Sequence, residues 1–594
     1  MLILHSTLLF GQDQLLQLAR DYYKNQEYDK AAETFKQLWE FQPKNQEIFK
    51  GYYQSLLKLE KYNAAEKLIV KKIKKNKSER ENYLLLSSLY QKTNNEKKLK
   101  KALKKFSDGQ IKSDTKALES AMRLEEYGFN NEAIALLEKS RTFNNENPYL
   151  FAEQMAYLYA KTGDVEKGVE SLLDLYVTDQ SRAESIKGTF QDMLKTEEQS
   201  SMLKKKVLQR SARDPEVLPY YDLLSWIFIQ QGDYVNAFRQ VRSIDRRING
   251  DGGRVLVFAR TAFREKKYQA AADAYEYLVG RGTELPYFQI ARSEYLGTKR
   301  AQLISKAAVD SADVNALDRE YEKFLDDFPA YRLQEVVIDY ADMLARYGDN
   351  IPKAIEVLQK TIDQPRGQKQ FRGRCKLNMG DYELIRGNVW ESSLLYSQVD
   401  KDFKQDMLGQ EAQLRNAKLS YYNGDFKWAQ TQLDILKAST SELISNDAID
   451  LSVLIIENNP IKDSNDAPLK LFAKSDLLVF QNKYEDAIMI LDGISHDYPY
   501  HPLMDDILMQ RADISVSKQE YNDAARFLQK IVDDHGDDVL GDDALYRLAG
   551  IYQNEFENPS EAKRLYEQLI LDYPGSTFSE RARKEFRKLR GDLL

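Results

Sequence analysis

The sequence predicts an all-α protein, an α-solenoid in which about 13 similar helix pairs stack to form a superhelix. Three observations support this fold class. Apolar residues recur at helical spacing along most of the chain. Small residues at matching helix positions repeat about every 34 residues. Only 14 Pro and 27 Gly in 594 residues argue against a β-rich or linker-dominated chain.

The repeating unit is clearest in residues 15–43, which contain two amphipathic helices joined by a polar turn. One face of the first helix collects the apolar residues Leu15, Leu18, Ala19 and Tyr22. The polar pair Gln26-Glu27 forms the turn. The second helix has an apolar face made of Tyr28, Ala31, Phe35 and Leu38, and Pro43 ends it.

This stretch resembles a tetratricopeptide (TPR) repeat, whose pattern is W-x2-L-G-x2-Y, then A-x3-F, then P. Five positions match, namely Leu18, Tyr22, Ala31, Phe35 and Pro43. Leu15 stands where the family has Trp, and Ala19 where it has Gly. The resemblance implies a surface, lined by the first helix of each pair, that binds peptides or partner domains.

Copies of the unit recur in phase along the chain. Tyr62 and Ala65 repeat Tyr28 and Ala31 after 34 residues, and Ala237 and Ala271 are separated by the same step. Near the C-terminus the spacing lengthens to 37 and 38 residues, between Ala487, Ala524 and Ala562. These last repeats add Asp-Tyr-Pro at the end of the second helix, at Asp497-Tyr498-Pro499 and Asp572-Tyr573-Pro574. In this form they look like the TPRs of outer-membrane assembly lipoproteins and TolA-binding periplasmic proteins.

The pattern divides the chain into eight segments. Residues 1–11 are predicted to be a signal peptide, 12–110 N-terminal repeats with a lysine-rich face, and 111–285 further repeats, one of them degenerate. An irregular repeat with an inserted loop or extended helix occupies 286–330. Regular repeats follow in 331–460, a polar linker in 461–468, C-terminal repeats in 469–576 and a capping helix in 577–594.

The N-terminal run MLILHSTLLFGQ resembles the end of a secretory signal peptide of the kind that Bacteroidetes-type bacteria use. The basic region that usually precedes such a run is missing, and Leu9 is not a small residue. We expect export to the periplasm; the alternative is a cytoplasmic adaptor with a hydrophobic N-terminus. No run approaches the ~18 apolar residues of a transmembrane helix.

Lysines are dense between Lys61 and Lys105, where the local surplus is about ten positive charges. This region is either a solvated helix face or a docking patch for an acidic partner or an anionic surface. Aromatic residues do not interleave the lysines, which disfavours single-stranded nucleic acid. The candidate patch consists of Lys71, Lys72, Lys74, Lys75, Lys97, Lys98, Lys101, Lys104 and Lys105.

No pattern of catalytic residues is evident. The chain has four His and one Cys, Cys375, and it contains no phosphate-binding loop, nucleophile elbow or zinc-protease motif. The acidic run at 533–538 lacks the alternating spacing of a calcium loop and suits turns and helix caps. The sequence therefore predicts a non-enzymatic protein-interaction scaffold of a bacterial envelope, with no cofactor, metal or nucleic acid. The alternative of another class is an enzyme with a site in 287–329.

Overall fold

The computed structural model describes residues 14–76, 79–144, 147–306, 309–328, 333–364, 368–404, 406–438, 442–458 and 466–590. Within these ranges the chain forms 32 α-helices, α1 to α32, two short 3-10 helices and no β-strand. The all-α prediction is confirmed, with more helices than the expected number of pairs requires. The predicted signal peptide and residues 461–465 of the predicted linker lie outside the described ranges.

The chain forms two compact units, and the first ends at Ile248. Its helices are α1 (residues 14–24), α2 (Tyr28–Phe41), α3 (Gln46–Lys58), α4 (Tyr62–Lys75), α5 (Glu81–Lys92), α6 (Glu96–Ser107), α7 (Asp114–Glu126), α8 (Asn130–Asn144), α9 (Ala152–Thr162), α10 (Val165–Thr178), α11 (Ala183–Met193), α12 (Glu197–Arg213), α13 (Leu218–Gln230) and α14 (Tyr234–Arg247). Most consecutive helices pack as antiparallel neighbours.

The second unit begins at Asn249. Its helices are α15 (Gly253–Arg264), α16 (Tyr268–Gly280), α17 (Phe288–Ile304), α18 (Ser311–Asp327), α19 (Gln334–Arg346), α20 (Ile351–Ile362), α21 (Lys369–Ile385), α22 (Val389–Asp402), α23 (Met407–Tyr422), α24 (Phe426–Leu436), α25 (Glu442–Asn458), α26 (Ala467–Phe480), α27 (Tyr484–Asp497), α28 (Met504–Ser517), α29 (Tyr521–Asp534), α30 (Gly541–Asn554), α31 (Pro559–Asp572) and α32 (Ser579–Arg590).

The recurring small residues lie where helices approach one another most closely. Seven alanines that the sequence pattern marks have no accessible surface: Ala31, Ala65, Ala237, Ala271, Ala487, Ala524 and Ala562. Gly51 of α3 also permits close helix packing, because an added Cβ would lie 2.4 Å from Cζ of Phe35. The period read from the sequence is therefore the period of helix packing.

The degenerate segment of the first unit is helical but paired differently. The α11 helix packs on α9 and α10, whereas α12 packs mainly on α13. A capping box starts α12, since Thr196 accepts a hydrogen bond from the Gln199 backbone and Gln199 accepts one in return. Residues 182–215 thus keep the helical spacing without forming a close hairpin.

Two features of the second unit depart from simple repetition. The described part of the irregular segment contains two helices of 17 residues, α17 and α18. The α25 helix is an addition between two pairs, and as a result α26 packs against α23 as well as α27. None of the described helices has the length and apolar character needed to cross a membrane.

Candidate binding surfaces

A groove crosses the first helices of consecutive pairs in the second unit. It has a volume of about 820 Å³ and is lined by residues of α15, α17, α19 and the start of α21: Arg260, Gln289, Ile290, Ser293, Glu294, Leu333, Gln334, Glu335, Val336 and Gln368. We call this the first-helix groove. The family resemblance predicts a binding surface on the first helices, and this groove lies on them.

Three glutamines recur at the same level of the first-helix groove. Gln289 is the second residue of α17, Gln334 is the first of α19, and Gln368 directly precedes α21. No hydrogen bond joins their side-chain amides to another described residue. Each amide therefore offers a free donor and a free acceptor to a ligand.

Two ion pairs flank the groove and connect neighbouring first helices. Arg260 of α15 holds Glu294 of α17 at 2.5 Å, and the Tyr275 hydroxyl donates to the same carboxylate at 2.9 Å. Arg374 of α21 binds Glu335 of α19 in a bidentate pair of 2.6 and 2.9 Å. Hydrogen bonding to Arg374 lowers the pKa of the Glu335 carboxyl, which keeps it ionised.

A row of aspartates continues along the first helices beyond the groove. Each directly follows the small buried residue of its helix: Asp342 after Ala341, Asp381 after Gly380, Asp476 after Ser475, and Asp513 after Ala512. Sequence analysis missed this row. The signal was available, because a small residue followed by Asp recurs at one repeat position.

Arginines on neighbouring first helices neutralise three of these four aspartates. Arg300 of α17 binds Asp342 of α19 at 2.5 Å. Arg415 of α23 binds Asp381 of α21 at 3.1 Å, where the Tyr396 hydroxyl also donates at 2.7 Å.

The third pair lies at the C-terminal end of the row, where Arg547 of α30 binds Asp513 of α28 at 2.6 Å. The charged side chains thus connect one repeat to the next.

Asp476 differs because its partners among the described residues are neutral. The Tyr421 hydroxyl donates to it at 2.6 Å, and the Gln510 amide donates to its other oxygen. Burial raises the pKa of the Asp476 carboxyl to about 7, although the Tyr421 hydrogen bond acts in the opposite direction. On the next helix pair, burial and the neighbouring Asp505 raise the pKa of Asp506 to about 8.

The lysines predicted from the sequence lie on two second helices of the first unit. Lys71, Lys72, Lys74 and Lys75 are on α4, and Lys97, Lys98, Lys101, Lys104 and Lys105 are on α6. Seven of the nine are exposed and form no ion pair with a described carboxylate. The structure brings the two groups together, since Lys98 Nζ lies 2.7 Å from Glu66 Oε1 of α4.

Lys72 and Lys98 are occupied by contacts within the protein. Lys72 is 8% exposed, and its ammonium lies 2.6 Å from Gln46 Oε1 and 3.8 Å from the centroid of the Phe49 ring. Burial lowers the pKa of Lys72. Lys98 is held by Glu66, which also accepts a hydrogen bond from Tyr90 at 2.8 Å.

Among the described residues, no three His, Cys, Asp or Glu side chains are placed to hold a metal ion. The acidic run at 533–538 makes turn contacts: His535 Nδ1 lies 3.0 Å from Asp538 Oδ2, and the Tyr573 hydroxyl donates to the Gly536 carbonyl. Cys375 is buried, and burial raises the pKa of its thiol to about 12, so it is not a thiolate nucleophile at neutral pH.

Comparison with known proteins agrees with the repeat pattern. The family model described as tetratricopeptide repeat matches residues 15–45 and 543–576, which correspond to α1–α2 and α30–α31. A search of curated proteins finds no match.

Among solved structures, that of Naa15/Naa10 bound to HypK-THB is similar at 12% identity and a TM-score of 0.26, covering 98% of this chain and 96% of that one. The APC/C hetero-tetramer Cut9-Hcn1 is similar at 13% identity and a TM-score of 0.21, with 97% and 96% covered. Residues 15–45 and 543–576 are therefore similar to tetratricopeptide repeats, and the all-α helix pairs with buried small residues at the repeat period agree with that similarity.

Proposed function

We propose that this protein is a non-enzymatic interaction scaffold that holds an extended segment of a partner protein in the first-helix groove. The observation that carries the proposal is the set of three unpaired glutamine amides, Gln289, Gln334 and Gln368, on consecutive first helices. A peptide backbone presents alternating N–H and C=O groups, and a primary amide can bind both.

The spacing of the groove suits an extended chain. Packed helices lie about 8–10 Å apart, and an extended chain advances about 3.3 Å per residue. Every third residue of a bound segment would then meet the next glutamine. Ile290 is 44% exposed in the groove and offers an apolar contact for a side chain of that segment.

A photo-crosslinking amino acid at Gln334 tests this proposal in cells. The matched control is Gln359, an exposed glutamine on α20, the second helix of the same pair. We expect a specific crosslinked protein from position 334 and from position 289, and none from 359. Equal products at 334 and 359, or no product at either groove position, would contradict it.

We also propose that the scaffold works in the envelope of a bacterial cell. Support comes from the sequence alone, in the leader-like run at residues 1–11. Sequencing the N-terminus of the protein isolated from its native cells tests the location. A chain that begins near Gln12 supports export, and an intact Met1 on cytosolic protein favours the cytoplasmic adaptor.

A further inference from the structure

We infer that the second helices α4 and α6 form a separate docking surface, the lysine face, whose partner is an acidic polypeptide segment. The lysine face consists of Lys67, Lys71, Lys74, Lys97, Lys100, Lys101, Lys104 and Lys105, all exposed. This inference rests on the proposed function only in taking the protein to be a scaffold. The lysine face shares no residue with the first-helix groove.

Four of these lysines occupy matching positions in consecutive repeats. Lys67 and Lys71 lie six and ten residues after the N-cap of α4, Lys61. Lys101 and Lys105 lie six and ten residues after the N-cap of α6, Asn95. Residues four apart share one face of a helix at about 6 Å, so these four lysines form two pairs at equivalent positions of consecutive second helices.

The lysine positions on α4 and α6 lie beside an ion pair between the two helices. The Lys98–Glu66 pair joins the two helices at 2.7 Å and neutralises Glu66 within the protein. No described carboxylate lies within ion-pair distance of any lysine-face ammonium. A groove of about 590 Å³ runs along α4, lined by Asn63, Glu66, Lys67, Val70, Lys71 and Lys74.

The composition of this surface favours an acidic polypeptide over a membrane or a nucleic acid. In the described residues between Phe41 and Met122, no large apolar side chain is exposed to insert into lipid. The nearby indole of Trp39 is 3% exposed and lies under Lys71, at 4.9 Å, so it offers no stacking platform for bases. Carboxylates of a flexible segment would relieve the repulsion among the clustered lysines.

Fluorescence anisotropy with a labelled decaglutamate peptide and the purified full chain tests the inference. We expect salt-sensitive binding that weakens at least about tenfold when Lys67, Lys71, Lys101 and Lys105 are all changed to Glu. The matched control changes four exposed lysines elsewhere to Glu, with the same change in net charge: Lys116, Lys205, Lys323 and Lys530. The control should bind like the unmodified protein.

Three results would overturn the lysine face as a peptide-docking surface. The first is that the unmodified protein does not bind decaglutamate. The second is that the four-site variant and the control variant lose affinity equally, because the effect would then depend only on net charge. The third is lysine-dependent binding to phosphatidylserine vesicles, or to a DNA duplex, without binding to the peptide. A Lys→Gln version of the four-site variant, with its helicity checked by circular dichroism, separates lost docking from lost folding, and crosslinking at Gln334 reports the first-helix groove independently.

Discussion

The side-chain amide of Gln481 donates a 3.0 Å hydrogen bond to the backbone carbonyl of Leu384, which lies 97 residues earlier. Beside it, the Arg346 guanidinium lies 6.0 Å from the centroid of the Phe480 ring. The end of α26 therefore reaches back to the C-terminal ends of α19 and α21. The added helix α25 precedes α26, which packs on α23 as well as on α27.

Replacing Gln481 with Ala should loosen this long-range contact. The Leu384 carbonyl would lose its side-chain donor, at a cost of about 1 kcal/mol. We expect faster amide hydrogen exchange in α26 and at the end of α21, measured by mass spectrometry. Gln54→Ala in α3 is the control, since no hydrogen bond joins its amide to another described residue; equal changes in exchange in the two variants would contradict the prediction.

Gly380→Ala should destabilise the second unit. An added Cβ would lie 2.4 Å from Cε1 of Tyr396, and that ring is fixed by burial and by its hydrogen bond to Asp381. Overpacking of this kind costs about 1–3 kcal/mol, which urea or thermal unfolding can measure.

The control for that substitution is Gly297→Ala in α17, where an added Cβ meets no atom within 4 Å. Since Ala favours a helix over Gly by up to about 1 kcal/mol, this variant should be as stable as the unmodified protein or more so. The close approach of α21 and α22 would be disproved if both variants behaved alike.

Asp476→Asn should change how stability depends on pH. The folded protein keeps the Asp476 proton up to about pH 7, whereas an unfolded chain releases it near pH 4. The folded state thus binds more protons in this window, and the free energy of unfolding falls as pH rises through it. In the Asn variant, the free energy of unfolding should decrease less as pH rises, as measured by urea unfolding between about pH 5 and 8.

A second carboxyl provides the control for the pH measurement. Asp434 is exposed, and its pKa is lowered by hydrogen bonds from Lys437 and Gln430. Asp434→Asn should leave the pH profile between pH 5 and 8 almost unchanged, since this carboxyl is ionised in both states there. An unaltered profile in Asp476→Asn would mean that its carboxyl titrates normally.

Lys72→Met should leave the protein as stable as before, or raise the free energy of unfolding by up to about 1 kcal/mol. The buried ammonium is costly to desolvate, and its two polar neighbours, Gln46 and Glu79, are exposed enough to bond to water instead. The same variant should bind decaglutamate normally, because Lys72 faces the interior. Lys72→Glu is the contrasting change, and it should destabilise by placing a second carboxylate beside Glu79.

The lysine cluster shows how far sequence reasoning reaches for a surface. Composition located the basic region, and the 34-residue period placed it on second helices. Lys71 and Lys72 are adjacent in sequence, yet one is exposed and the other is buried against Phe49. Helical spacing alone does not separate them, because the outcome depends on where α3 lies against α4.

The sequence by itself determined the fold class and the packing period of this protein. Ala65 lies where two helices touch, and a residue in such a position must be small. Close packing therefore requires a small residue once in every repeat, and this recurrence is visible in the sequence. Only the tertiary structure decided which arginine neutralises which first-helix aspartate, and that Gln481 would meet Leu384. These contacts join helices whose relative placement depends on the angles at which the pairs stack and on the added helix α25. The spacing of apolar residues within one helix predicts neither.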